Sequence, residues 1–117
     1  MFYKGPKNDK SIFWTEHSKI KMRQYGLSES RLKRILRAPR RREKGIAPKT
    51  IALMQRAGSK KKQSEIWLMY QKIGQRKKII SAWRYPGISP VGEPIPIPED
   101  IIKELKKTQN FLTRKEK

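Results

Sequence analysis

The sequence predicts an α+β fold: two short N-terminal helices, an antiparallel meander of three to four strands, and a C-terminal helix. Three observations carry that expectation. The stretch between Thr15 and Gly26 has helix punctuation at both ends, and Ser28 can open a second helix directly after it. Beyond residue 46 the pattern changes to aromatic and β-branched runs separated by Gly- and Lys-rich turns. Near the C-terminus, Pro98-Glu99-Asp100 combines the proline and acids that suit a helix start.

Taken in order, residues 1–11 are polar and are expected to form a flexible arm, and Ile12-Phe13-Trp14 reads as a short strand. In the first helix, Ser18, Met22 and Tyr25 share one stripe, while His17, Lys21 and Gln24 share its neighbour. Gly26 suits the left-handed turn past the helix end, and Leu27 can fold back as its apolar partner. The second helix spans residues 29–37, with Leu32, Ile35 and Leu36 as its buried stripe and Pro39 beyond its end.

Thr50 to Gln55 follows Pro48 and reads as a strand, and residues 57–64 read as a Gly/Ser/Lys loop. Glu65 to Lys72 and Lys78 to Tyr85 read as two further strands around a Gly74-Gln75 turn, with Arg40–Ile46 as an optional edge strand. On the Glu65 strand, alternation places Glu65, Trp67 and Met69 on one side and Ile66, Leu68 and Tyr70 on the other. The Ile/Pro alternation of residues 86–98 suggests an extended strip pinned to the domain. Ile101, Ile102 and Leu105 would then dock the last helix, with Phe111 and Leu112 as further candidates, followed by a frayed tail at 114–117. The expected organisation is an arm (1–11), a helix–helix–meander domain (12–88), and a proline-rich strip with its helix (89–117).

The chain has 117 residues, with 30 Lys+Arg against 10 Asp+Glu, a formal charge of +20. Nucleic acid is the polyanion that most often accounts for such a surplus; an anionic membrane surface or an acidic protein partner are the alternatives. With no cysteine and one histidine, disulfide frames, thiolate zinc sites and multi-histidine metal sites are excluded. No cofactor is expected. There is no apolar run long enough to span a bilayer and no signal-peptide block, so a cytoplasmic protein is expected.

The densest charge is Arg31, Lys33, Arg34, Arg37, Arg40, Arg41, Arg42 and Lys44, opposed locally only by Glu43. It crosses from a helix into an extended segment and reads as a phosphate-binding run. Lys60, Lys61 and Lys62 add to it from a loop. Most charge runs are simply solvated faces, which is the plainer alternative. The few scattered acids give poor support to a metal-dependent nuclease or a Ser-His-Asp triad.

The chemistry left to these residues is metal-free RNA cleavage, in which a 2′-hydroxyl attacks its own phosphate. It needs a base, an acid and cations for the charge building on phosphorus. His17 suits one proton transfer, and Glu65, Tyr85 or a lysine would supply the other. Lys21 and Arg84 would hold the phosphorane, and Trp67, Trp83 and Tyr85 offer flat faces to unstacked bases. A lone helix histidine is more often structural, and strand tryptophans are more often core.

His17-x-x-x-Lys21-Met22-x-x-x-Gly26-Leu27-Ser28, a helix ended by Pro39, and then Ile79-Ile80-Ser81-Ala82-Trp83-Arg84 resembles the RelE-like ribonuclease superfamily. The nearest likeness is to a domain-of-unknown-function family near the BrnT-type toxins, over roughly residues 12–88. The resemblance implies a helix–helix–meander fold and metal-free ribonuclease activity on mRNA or rRNA, often beside an acidic antitoxin. His17 matches the family's helix histidine and Arg84 its basic residue near the last strand's end. Lys21 stands where an arginine is usual, and Tyr25 replaces a second arginine. Two functions follow as expectations: a metal-independent endoribonuclease of toxin type, or a non-catalytic RNA-binding or ribosome-associated module.

Overall fold

The structure, a computed structural model, describes residues 5–46 and 48–106. Strand β1 (Ile12–Trp14) leads into α1 (Glu16–Tyr25) and α2 (Glu29–Arg37). Strands β2 (Arg41–Lys44), β3 (Thr50–Gly58), β4 (Gln63–Ile73) and β5 (Arg76–Pro86) follow. The chain is helical again from 99 to 106, a segment called α3 below. Phe111, Leu112 and the tail at 114–117 lie outside the described residues, as do the first four residues of the expected arm.

The fold is α+β, but the sheet differs from a three- to four-stranded antiparallel meander. It has five strands in the order β1-β5-β4-β3-β2, and it is mixed. The strands β2 to β5 pair antiparallel with their sequence neighbours, whereas β1 pairs parallel with β5, Ile12 opposite Lys77 and Trp14 opposite Ile79. The reason is local to β5. Its outer edge presents backbone groups along residues 77–79, and β1 with its flanking residues satisfies them: Lys77 donates to the Ser11 carbonyl and the Ile79 carbonyl accepts the Thr15 amide.

The loop between β3 and β4 is also shorter than the Gly/Ser/Lys composition suggests. Pairing continues to Gly58 opposite Gln63, and Ser59 and Lys62 close the hairpin with reciprocal backbone bonds of 3.2 Å. The three lysines therefore sit at the tip of a defined hairpin.

Caps fix the two helices that position the site. Thr15 accepts the Ser18 amide at the start of α1, and Ser28 does the same for Arg31 at the start of α2. Between them Gly26, at φ 67°, lets Leu27 donate back to the Met22 carbonyl at 2.8 Å, and Leu27 is buried beneath the turn.

Both faces of the sheet are covered. On one, Met22, Leu32 and Ile35 of the helices meet Leu53, Leu68 and Ile79. On the other, Ile101 and Leu105 of α3, with Ile95 and Ile97 of the strip, meet Met54, Trp67, Met69 and Trp83. This double cover is why every residue of β4 from Glu65 to Tyr70 is buried. The alternation of β4 holds, with Trp67 and Met69 under α3 and Ile66, Leu68 and Tyr70 under α1 and α2.

Candidate functional site

The His17/Lys21 stripe of α1 is largely covered, because α3 lies across it. Lys21 is buried, and its ammonium is held by the Asp100 carboxylate, by Gln24 Oε1 at 3.1 Å and by Glu104 at 3.5 Å. His17 sits between two elements. Its Nδ1 faces the Glu104 carboxylate, and its Nε2 lies 2.9 Å from Ser81 Oγ on β5.

The electrostatics follow from this cover. Burial pushes the imidazole of His17 below its ordinary value and outweighs the pull of Glu104, while Lys21 pushes the same way as burial. Burial also opposes the charge on Lys21, but the hydrogen bond to Asp100 and the fields of both carboxylates win and raise it. Asp100 is correspondingly held below the usual carboxylate range, first by its bond from Lys21. Neutral His17 then donates from Nδ1 to Glu104 and accepts the Ser81 hydroxyl proton at Nε2.

Ser81, His17 and Glu104 are thus in line, the order of a hydroxyl, a base and an orienting acid. Ser81 is fully buried, so in this arrangement the chain of bonds fastens α1 between β5 and α3 and offers no nucleophile to a substrate. Ser81, Asp100 and Glu104 are the residues that sequence reasoning passed over. The available signals were a serine inside an apolar strand and two acids one helical turn apart.

The other residues expected at a catalytic centre lie elsewhere. Arg84 projects on the α2 side of the sheet, into a pocket at the α1–α2 joint. Glu65 is fully buried under the proline strip, where it accepts Trp67 Nε1 at 3.0 Å, the Ser89 amide at 3.1 Å and the Ser89 hydroxyl at 2.6 Å. Tyr85 stands opposite Glu65 across the strands and packs into the same apolar layer. Among the described residues, no hydrogen bond or ion pair joins Arg84, Glu65 or Tyr85 to His17 or Lys21. The expected constellation is therefore divided among three places in the fold.

Three expected RNA contacts are also corrected. Trp67 and Trp83 are both fully buried, parallel with ring centroids 6.1 Å apart, so neither face can receive a base. Arg41 turns inward: it pairs with Glu43 at 2.9 Å, donates to Ser89 Oγ at 2.7 Å and lies over the Trp67 ring. Alternation on the edge strand sends its neighbours outward, and Arg40, Arg42 and Lys44 are exposed.

A run of exposed cations follows α2, the outer face of β2 and the β3–β4 hairpin tip, while others, such as Lys7, Arg23, Lys72, Arg76 and Lys103, are spread over the rest of the surface. Gln55 of β3 donates to the Arg34 and Ala38 carbonyls, docking the end of α2, and leaves Arg34 and Arg37 in solvent. Two open pockets lie side by side here. One, of about 320 Å³, includes Ser28, Arg31, Arg34, Ala57 and Arg84 in its lining. The other, of about 220 Å³, shares Ala57 and is bordered by Arg56, Ser59 and Lys60 at the hairpin tip. Among the described residues, no group of three or more His, Cys, Asp or Glu side chains is placed to hold a metal ion. No helix among them is long and apolar enough to cross a membrane.

Comparison of the chain with protein-family models, with curated proteins and with solved structures finds no match. The functional reading therefore rests on the residues alone.

Proposed function

We propose that this protein is a basic RNA-binding module whose contact surface runs from the α1–α2 joint along α2 to the β3–β4 hairpin. One contrast carries the reading. Asp100 and Glu104 of α3 are spent on Lys21 and His17 of α1, while Arg34 and Arg37 of α2, Arg42 and Lys44 on the outer face of β2 and the lysines of the hairpin tip stand exposed. Single-stranded RNA suits such a surface, because adjoining basic pockets can follow a flexible phosphate backbone. A ribosome-associated role would use the same contacts.

The test is binding of single-stranded RNA across a salt series, by fluorescence anisotropy. Replacing Lys60, Lys61 and Lys62 with Gln should weaken binding and flatten its salt dependence, and His17→Ala should leave both unchanged. Salt-insensitive binding, or loss of binding in His17→Ala with the fold intact, would refute the proposal.

A second reading, a metal-independent endoribonuclease of the RelE-like kind, is favoured by the bond chain through His17. It requires α3 to leave the His17/Lys21 stripe, as an acidic partner protein or bound RNA could induce. RNA cleavage in EDTA that disappears in His17→Ala would support it over the first reading.

A further inference from the structure

The pocket at the α1–α2 joint assembles three guanidinium groups without an acid among its lining residues. Arg31 reaches it from the first turn of α2, Arg34 from the next turn, and Arg84 from β5. None of the three takes part in an ion pair among the described residues. We infer that this pocket is a single-phosphate site, in which Arg31, Arg34 and Arg84 share one phosphate group of a bound RNA strand. The inference rests on the RNA-binding reading above and names the chemical group this part of the surface takes.

Three features support it. First, Arg31 is held in place before any ligand arrives: its Nη2 donates to the Arg56 carbonyl at 2.9 Å, and the backbone there is fixed by the β3–β4 pairing. A guanidinium has five N–H donors, so most of its capacity remains. Its Nε is buried without a hydrogen-bond partner, an unusual condition for so strong a donor. Second, burial and the like charges of Arg34 and Arg84 all disfavour the cation at Arg31. Bringing like charges together without a counter-ion is unfavourable, and an anion would relieve it. Third, Gly26 and Ala57 line the same pocket with little or no side chain, which leaves room for a compact oxyanion. Forked guanidinium donors match a phosphate better than ammonium groups do.

An acidic protein segment is the competing occupant. Phosphate is favoured because the adjoining pocket, which shares Ala57, continues the basic lining through Arg56 and Lys60.

The test has two arms on the full chain. In the first, inorganic phosphate is titrated at constant ionic strength while the arginine Nε–H signals are followed by NMR. Saturable movement of the Arg31 signal, abolished in Arg34→Gln/Arg84→Gln, is expected. Movement no larger than chloride gives would overturn the site. In the second, the salt slope of single-stranded RNA binding is measured. One shared phosphate predicts that Arg84→Gln and Arg34→Gln, alone or together, lower the slope by no more than about 0.7 in total. A combined drop of about twice that would mean separate phosphates and overturn the shared clamp. If Arg84→Gln disturbs the fold, Arg34→Gln, on the exposed side of α2, carries the same measurement.

Polyglutamate that moves the Arg31 signal as strongly as RNA at equal charge would overturn the phosphate assignment in favour of a protein ligand. Saturation by phosphate in a chain that binds no RNA would overturn the RNA source together with the functional reading. RNA binding without phosphate saturation would overturn this site alone.

Discussion

Ser89 donates from both its backbone amide and its hydroxyl to the fully buried carboxylate of Glu65. Arg41 in turn donates to the Ser89 hydroxyl oxygen while its guanidinium rests over Trp67. A proline-rich segment with no ladder of its own is thereby clamped onto the sheet by polar bonds inside an apolar layer.

Replacing Ser89 with Ala removes one donor from a buried carboxylate and one acceptor from Arg41. The expected cost is about 1–3 kcal/mol, read from urea unfolding. An unchanged midpoint would mean the clamp contributes nothing to holding the strip.

The ion pairs beneath α3 predict a different response. Lys21 is 4% exposed while Asp100 and Glu104 are 41% and 47% exposed, so water screens the acids but not the ammonium. Asp100→Ala with Glu104→Ala leaves that ammonium unpaired, at an expected cost of about 1–2 kcal/mol. Amide exchange along residues 99–106 should accelerate more than exchange in β4. Uniform acceleration would show that α3 and the sheet open as one unit.

Acidification tests His17. Its folded value lies below the ordinary 6.5, so the unfolded chain takes up a proton first as pH falls. The stability it contributes is therefore complete above pH 6.5 and declines from there toward the folded value. Urea unfolding between pH 7.5 and pH 5 should show a steeper decline in the wild-type chain than in His17→Gln. A gain in stability on acidification would mean that attraction to Glu104 exceeds the cost of burial.

Gly45 offers a purely steric prediction. A Cβ there would lie 2.1 Å from Thr50 Oγ1 and 2.8 Å from Met69 Sδ. Gly45→Ala should therefore lower stability by about 1–3 kcal/mol, measured by thermal or urea unfolding, and should loosen the β2–β3 edge in amide exchange.

Local chemistry made much of the fold legible. Thr15, Gly26 and Ser28 mark helix ends through bonds to residues within five positions, so a linear reading finds them. The alternation of β4 likewise separates Trp67 from Leu68 without knowledge of the partners. What could not be read was which distant groups meet. Arg41 and Arg42 are adjacent and identical in type, yet one is consumed by Glu43 and Ser89 while the other faces solvent. His17 and Lys21 looked like a cationic stripe because the acids that neutralise them lie more than 70 positions away. The expected site sets Arg84 beside His17 and Lys21, whereas strand alternation turns it toward α2.

The parallel pairing of β1 with β5 has a consequence for synthesis. Thr15, just past β1, bonds through its hydroxyl to the Ile79 carbonyl, a separation of 64 positions. A nascent chain can form both N-terminal helices early, but β1 has no edge to join until the last strand has left the ribosome. Closing the sheet's far edge therefore waits on β5, a contact of high sequence separation. Until then the strand that Ile12 and Trp14 pack against in the folded core is missing, and their apolar surface stays uncovered.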